Sequence, residues 1–98
     1  MSVTYTRTRT HSTGSTFELP SVLKTEWNRL VAAGTVVRTV EWVSEDTETG
    51  TATTNVTEVW TTDENRNNWK AFVASNQSAF DTFLSDNNII NGSWTKVE

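Results

Sequence analysis

An arginine and a glutamate on two neighbouring predicted strands are the first candidates for chemistry in this sequence. Residues 35–45 alternate in a strand-like pattern that includes Arg38, and residues 51–61 place Glu58 and Trp60 on one face. The turn-rich segment between the two runs predicts a hairpin. Two registers keep the even-numbered faces together. One sets Arg38 opposite Glu58, which predicts an ion pair, and the other sets Arg38 opposite Trp60, which predicts a cation–π contact.

The first predicted strand brings further polar groups to the same face of the sheet. Residues 2–10 alternate strictly, with Tyr5 and Arg7 on one side and a row of threonines on the other. We expect a small-molecule pocket with a polar floor on this face and a cap formed by Trp42, Trp69 and Phe72. The candidate ligand-binding residues are Tyr5, Arg7, Arg38, Trp42, Glu58, Trp60, Trp69 and Phe72.

Each of these candidates also has a purely structural interpretation. An Arg38–Glu58 ion pair can serve strand register alone, and tryptophans at core spacing are packing groups. His11, the single histidine, is of the residue type that suits a general base, but a lone histidine in a Ser/Thr/Gly turn is expected to be solvated. The sequence assigns no catalytic residue. It shows no metal-ligand spacing, so we expect neither a metal nor a cofactor.

Composition and charge exclude several classes of protein. The chain carries 12 acidic and 8 basic residues, a net charge of −4, and the basic residues are scattered along the sequence. We therefore expect no nucleic acid and no membrane as partner. The absence of cysteine excludes disulfides and thiol catalysis. No apolar signal-peptide core and no run of about 20 apolar residues is present, which predicts a cytoplasmic protein.

Two amphipathic helices position these strands. The first is predicted to begin near Pro20 and to end at Gly34, a residue that favours a left-handed cap. The second is predicted to begin at Thr62 or Asp63, both good N-terminal caps. Its apolar stripe is interrupted at residues 75–78, which predicts a kink or two consecutive helices.

The order of the elements predicts one α+β domain spanning residues 1–98, since a chain of this length has no room for a second core. A short last strand is expected at residues 93–98, which completes a β-α-β-β-α-β order. We therefore predict a ferredoxin-like fold, with a four-stranded antiparallel sheet and helices on one face.

Residues 58–64 (EVWTTDE), followed by residues 69–75 (WKAFVAS), resemble the dimeric α+β barrel superfamily, particularly its antibiotic-biosynthesis-monooxygenase-like members. This resemblance implies two sheets packed face to face across a homodimer, with a pocket between sheet and helices in each protomer. The superfamily includes cofactor-free oxygenases, haem-degrading enzymes, isomerase-like enzymes, stress-responsive proteins and many marine metagenomic chains of unassigned activity. Many relatives carry histidines in the second helix, where residues 72–77 here read FVASNQ, which argues against a haem or histidine-base mechanism.

The opposite face, even-numbered in residues 2–10 and odd-numbered in residues 35–45 and 51–61, is rich in threonine and valine, and we expect it to form the homodimer. Ordering of water or ice on a threonine lattice is the alternative. Three classes of function remain. The preferred one is a small-ligand-binding homodimer, followed by a non-catalytic dimeric interaction or structural protein, and then by a cofactor-free monooxygenase-like enzyme. An open cavity under the helices favours the first class, and a cavity filled by aromatic side chains favours the second.

Overall fold

The computed structural model describes residues 2–15 and 17–97. These residues form five strands and three helices joined by turns and loops. In chain order they are β1 (Val3–Ser12), α1 (Ser21–Ala32), β2 (Val36–Asp46), β3 (Thr51–Trp60), α2 (Asp63–Ser75), α3 (Gln77–Asp86), β4 (Ile90–Asn91) and β5 (Thr95–Val97). The predicted α+β class with an antiparallel sheet is confirmed. The prediction of four strands is wrong, because the last strand is divided into two.

The sheet has the order β2-β3-β1-β4, with β5 also paired to β1, and every pairing is antiparallel. The β2–β3 hairpin adopts the first of the two predicted registers, with Arg38 opposite Glu58. A bulge between Trp42 and Ser44 shifts the register near the turn. Arg38 and Glu58 are therefore direct cross-strand neighbours, close enough for their charges to meet.

A glycine divides the last strand. β4 pairs with Arg9 and Thr10, whereas β5 pairs with residues 4–6, nearer the start of β1. Between them the amide of Gly92 donates to the carbonyl oxygen of Thr8 at 2.8 Å, and a Cβ at Gly92 would lie 2.7 Å from that same oxygen. Only glycine fits this close approach. The two-residue β4 is too short to produce a periodic pattern, so the sequence prediction began the strand at residue 93.

The helix boundaries follow the predicted cap residues. Helix α1 begins directly after Pro20, and Gly34 just beyond its end has a φ of 74°, in the left-handed region. The hydroxyl of Thr62 accepts a hydrogen bond from the amide of Asn65 at 3.1 Å and so caps α2. Helices α2 and α3 are separate and meet at Asn76, which confirms the predicted interruption.

The apolar core lies at one end of the covered face of the sheet. Leu30, Val36 and Trp60 form its centre, and the Trp27 ring packs edge-on against Trp60 with ring centroids 5.9 Å apart. Along β3 the even-numbered residues are buried and the odd-numbered ones are exposed or half-buried. The helices therefore cover one face, and threonine and valine side chains occupy the other. No helix within residues 2–15 and 17–97 combines the length and apolar character that crossing a bilayer requires.

Candidate functional site

A cavity of about 710 Å³ lies between the helices and the covered face of the sheet. Its walls come from all three helices, from β1, β2 and β3, and from the segments that follow β1 and α3. The aromatic residues of the lining are Phe17, Trp27, Trp42, Trp69, Phe80, Phe83 and Trp94. The volume is within the usual range for small-molecule sites. The large aromatic side chains thus surround this space and leave it open.

Six of the eight basic side chains of the chain line this cavity, against two of its twelve acidic side chains. The basic residues are Arg7, Arg9, Lys24, Arg38, Arg66 and Lys70, and the acidic ones are Glu18 and Glu58. The interpretation of the basic residues as scattered is therefore wrong in three dimensions. Alternation along the strands points three arginines to one face, and α2 adds a fourth from above.

One arginine of this group has a carboxylate partner on the floor of the cavity. The Nη1 of Arg38 lies 2.9 Å from Oε2 of Glu58, and the indole Nε1 of Trp60 donates to Oε1 of Glu58 at 3.1 Å. The Glu58 side chain is only 6% exposed. Both of its oxygens are occupied, so Glu58 holds Arg38 and Trp60 in place and is engaged as a structural anchor.

The other three arginines lack such a partner. Within the described residues, no carboxylate lies within 4.0 Å of the guanidinium of Arg7, Arg9 or Arg66. Each guanidinium instead lies over an aromatic ring: Arg7 over Trp94 (3.9 Å to the centroid), Arg9 over Phe17 (4.4 Å) and Arg66 over Tyr5 (3.6 Å). Arg9 also donates from Nε to the hydroxyl of Thr54 at 3.2 Å. Stacking uses the flat face of a guanidinium and leaves the other donors at its edge for further partners.

Burial makes the charge on these arginines costly. Desolvation lowers the pKa of Arg7 to about 10, and the positive charges of Arg38 and Arg66 add to this effect while Glu58 opposes it. Desolvation likewise lowers the pKa of Arg9 to about 10, with Arg38 and Arg7 contributing in the same direction and Glu58 again opposing. The cavity is therefore a region of uncompensated positive charge.

Five of the eight residues predicted for the pocket line the cavity: Arg7, Arg38, Trp42, Glu58 and Trp69. Trp42 is 53% exposed, which places it where the cavity meets solvent. The predicted polar floor around Arg38 and Glu58 therefore lies in the same cavity as Trp42 and Trp69, two of the three side chains predicted to cap it.

The remaining three predicted residues, Tyr5, Trp60 and Phe72, lie behind the wall of the cavity. The Tyr5 hydroxyl donates to Asp63, and this hydrogen bond is the main reason that the pKa of Tyr5 is raised. Trp60 is fully buried in the core, and Phe72 stacks on Trp69 with centroids 5.9 Å apart. Their role is to support residues that face the cavity.

Sequence reasoning missed four prominent lining residues. Arg9 shares the strand face of Arg7, so the same alternation contained the signal for it. Arg66 precedes Trp69 by three positions on α2, a spacing that puts both on one side of a helix. Phe17 lies outside any periodic element, so the local pattern gave no signal for it. Trp94 was included in the predicted last strand at residues 93–98, but that alternation did not indicate a place in the pocket.

The prediction that His11 is a solvated loop residue is wrong. His11 belongs to β1 and is 1% exposed, with its ring edge-on to Phe17 at 4.7 Å and to Trp42 at 5.2 Å. Its Nδ1 lies 2.9 Å from the carbonyl oxygen of Ser12, and its Nε2 has no hydrogen-bond partner within the described residues. Because a carbonyl only accepts, Nδ1 carries the proton. His11 does not line the cavity.

Metal-ligand clusters and similarity to known proteins give no information on the function of this chain. Across residues 2–15 and 17–97, no three histidine, aspartate or glutamate side chains gather in a way that would hold a metal ion. Comparisons with protein-family models, with curated proteins and with solved structures found no match. The resemblance to the dimeric α+β barrel superfamily therefore stays a prediction.

Proposed function

We propose that this chain is a small-molecule-binding protein whose ligand occupies the cavity between the helices and the sheet. The observation that carries the proposal is the open space of about 710 Å³ with aromatic walls and several convergent basic groups. Apolar walls with a few placed polar groups are the usual composition of ligand sites. A protein that served only as a structural partner would gain stability by filling this space.

Binding is favoured over catalysis by the state of the acid–base candidates. Glu58 uses both oxygens for Arg38 and Trp60, and Glu18 forms an ion pair with Lys24. His11 lies outside the lining. No group of the described lining is therefore placed as an unengaged general base, which a cofactor-free oxygenase would need for proton transfer.

Two alanines of α2 provide a matched test of this proposal. Ala74 lines the cavity and Ala71 does not, although both are exposed and lie one turn apart. We expect the wild-type protein to bind the neutral fluorophore 1-aminoanthracene saturably, and an Ala74→Trp variant to bind it about tenfold more weakly because the new indole obstructs the space. Ala71→Trp is expected to bind as the wild type does. Absence of saturable binding, or equal weakening by both substitutions, would contradict the proposal.

We also propose that two copies assemble as a ferredoxin-like dimeric α+β barrel. The support is the sheet order, in which β1 lies between β3 and the two last strands, together with helices on one face alone. On the other face, Val37 is 59% exposed and Val97 is 50% exposed, within a surface made mostly of threonine and valine. A nearly neutral face suits contact with its own copy, because two-fold symmetry brings like side chains together.

Aspartate substitutions on two exposed valines test this assembly. Val37 lies on the bare sheet face, and Val22 is similarly exposed on α1. By size-exclusion chromatography with light scattering, we expect a dimer for the wild type and for Val22→Asp. Val37→Asp is expected to be monomeric, since each dimer would bury two new carboxylates. A monomeric wild type at about 100 μM, a concentration at which a weak dimer would assemble, would overturn this part of the proposal.

A further inference from the structure

Three buried or half-buried arginines with no carboxylate beside them point to the chemical class of the ligand. We propose that the ligand is an organic anion with an apolar ring-containing body, and that its carboxylate or phosphate group is bound by Arg7 and Arg66. This inference rests on the proposed binding function, since it concerns the same cavity. It adds a charge requirement that cavity shape alone does not impose.

The two arginines converge on one aromatic ring although they come from different layers of the fold. The Arg7 guanidinium, from β1, lies 3.9 Å from the centroid of the Trp94 ring, and that of Arg66, from α2, lies 5.7 Å from the same centroid. The two guanidinium carbons are therefore at most about 9.6 Å apart, and the charge of Arg66 is near enough to contribute to the lowered pKa of Arg7. An oxyanion between them would accept hydrogen bonds from both guanidinium edges.

The free energy of this arrangement favours an anion. Arg66 is 7% exposed and Arg9 is 6% exposed, yet the one buried carboxylate of the lining, Glu58, is already bonded to Arg38 and Trp60. A buried charge without a countercharge destabilises a fold, and an opposite charge beside it offsets part of that cost. A bound anion would supply the missing countercharge inside the cavity.

The remainder of the lining fits the body of such a ligand. Opposite the strand arginines, α2 and α3 contribute Trp69, Val73, Phe80 and Leu84. These side chains offer flat and aliphatic surface in a space large enough for a molecule with one or two rings. The ligand class is thus amphipathic, with an anionic group toward β1 and an apolar body toward the helices.

Matched fragment pairs test the charge requirement without knowledge of the natural ligand. We would screen aromatic carboxylates and aryl phosphates, each paired with its neutral methyl ester or amide, by ligand-observed NMR. Acids are expected to bind roughly 10- to 100-fold more tightly than their neutral partners, which is the range for hydrogen bonds to charged groups. The stronger of the two acid types shows whether the site is built for a carboxylate or a phosphate.

Arginine variants locate the anion. Arg7→Met and Arg66→Met remove the positive groups but keep most of the apolar stem, whereas Arg29→Met removes an exposed arginine of α1 that does not line the cavity. Calorimetric titration with the tightest acid should show a loss of about tenfold or more for the first two variants and no change for the third. Binding of the neutral partner should be unchanged in all three, which also shows that the cavity is intact.

The outcomes separate this inference from the proposal on which it rests. If neutral partners bind as tightly as acids, or if the Arg7 and Arg66 variants weaken both equally, the anion inference is wrong and cavity binding stands. If no member of any pair binds the wild type, both are wrong. Selective loss of acid binding in Arg7→Met and Arg66→Met, with Arg29→Met unaffected, supports both.

Discussion

The two faces of strand β1 differ in a way that reverses the usual arrangement of charge. The face covered by the helices carries Arg7, Arg9 and His11, whereas the bare face carries the neutral residues Thr8 and Thr10. In most proteins charged side chains point to water and neutral ones are covered. The charge on the covered face therefore does not serve solubility, and β1 adds no charge to the bare face that would keep another sheet away.

Glu58→Gln is expected to have the largest effect on this comparison, because it removes the carboxylate that balances the covered face. Glu58 is 5% exposed and is bonded to Arg38. After this substitution, the described residues of the cavity floor contain no carboxylate to balance the arginines. We therefore expect the free energy of unfolding to fall by about 3 kcal/mol. Glu41→Gln, on the bare face of β2, is the control and should change it by less than about 0.5 kcal/mol in protein dilute enough to be monomeric. Urea denaturation measures both, and equal midpoints would contradict the prediction.

Val36 and Val37 are sequence neighbours that point to opposite faces, so the same substitution compares the faces directly. Val36 is 1% exposed and Val37 is 59% exposed. Val36→Ala should lower the free energy of unfolding by about 2 kcal/mol, because it removes methyl groups from the packed core. In protein dilute enough to be monomeric, Val37→Ala should change it by less than about 0.5 kcal/mol. Similar losses for both variants would show that the two faces are packed alike.

Arg7→Met is expected to stabilise the ligand-free protein by about 1 kcal/mol at neutral pH, since relief of a buried charge outweighs the lost contact with Trp94. The pKa of Arg7 is lowered to about 10 in the folded chain, below its ordinary value of 12.5. Arg7 therefore loses its proton more readily in the folded than in the unfolded wild-type protein. The free energy of unfolding of the wild type should consequently rise relative to that of the variant as pH increases from about 10 toward 12.5. Urea denaturation at pH 7 and at about pH 11 checks both signs, and a destabilised Arg7→Met at pH 7 would contradict the prediction.

Asp63→Asn should give the smallest effect. The hydrogen bond from Lys96, and then that from Tyr5, lower the pKa of Asp63 below its ordinary value of 3.8. The stabilisation by the Asp63 carboxylate is therefore complete above that value and is lost as pH falls through the lower folded value. Asp63→Asn should melt slightly below wild type at about pH 6, and the gap should narrow as the solution is acidified below the ordinary pKa of the carboxyl. Glu64→Gln, also in the first turn of α2, controls for the helix dipole. A gap that does not narrow in acid would contradict this assignment.

Local patterns in the sequence predicted the parts of this fold that local interactions determine. The register of Arg38 and Glu58 was one of two predicted alternatives, because strand alternation and turn length restrict a hairpin to few pairings. Thr62 and Gly34 marked helix ends because their side-chain oxygen and backbone freedom, respectively, suit those positions. The interruption before Asn76 was visible as a run of polar residues where the apolar stripe should continue.

Features that depend on distant contacts were not predicted. Arg66 and Trp94 are 28 positions apart and meet only because α2 packs over β1. β4 exists because Gly92 lets the chain approach Thr8, a contact with no periodic signature. His11 looked like part of a turn, yet β1 extends to Ser12 and the ring is enclosed by two aromatic residues.

The concentration of basic side chains within the cavity also has a kinetic consequence. Six of the eight line it, whereas most of the acidic side chains that the structure describes lie elsewhere, so the surface away from the cavity is acidic. If the ligand is the proposed anion, this acidic surface repels it on its way to the mouth of the cavity, over a distance of about 10 Å at 0.1 M salt. Added salt screens that repulsion and should speed the association of an anion, while it weakens the hold of the arginines and speeds dissociation. The bound anion would therefore exchange slowly with solution in dilute salt and rapidly in concentrated salt.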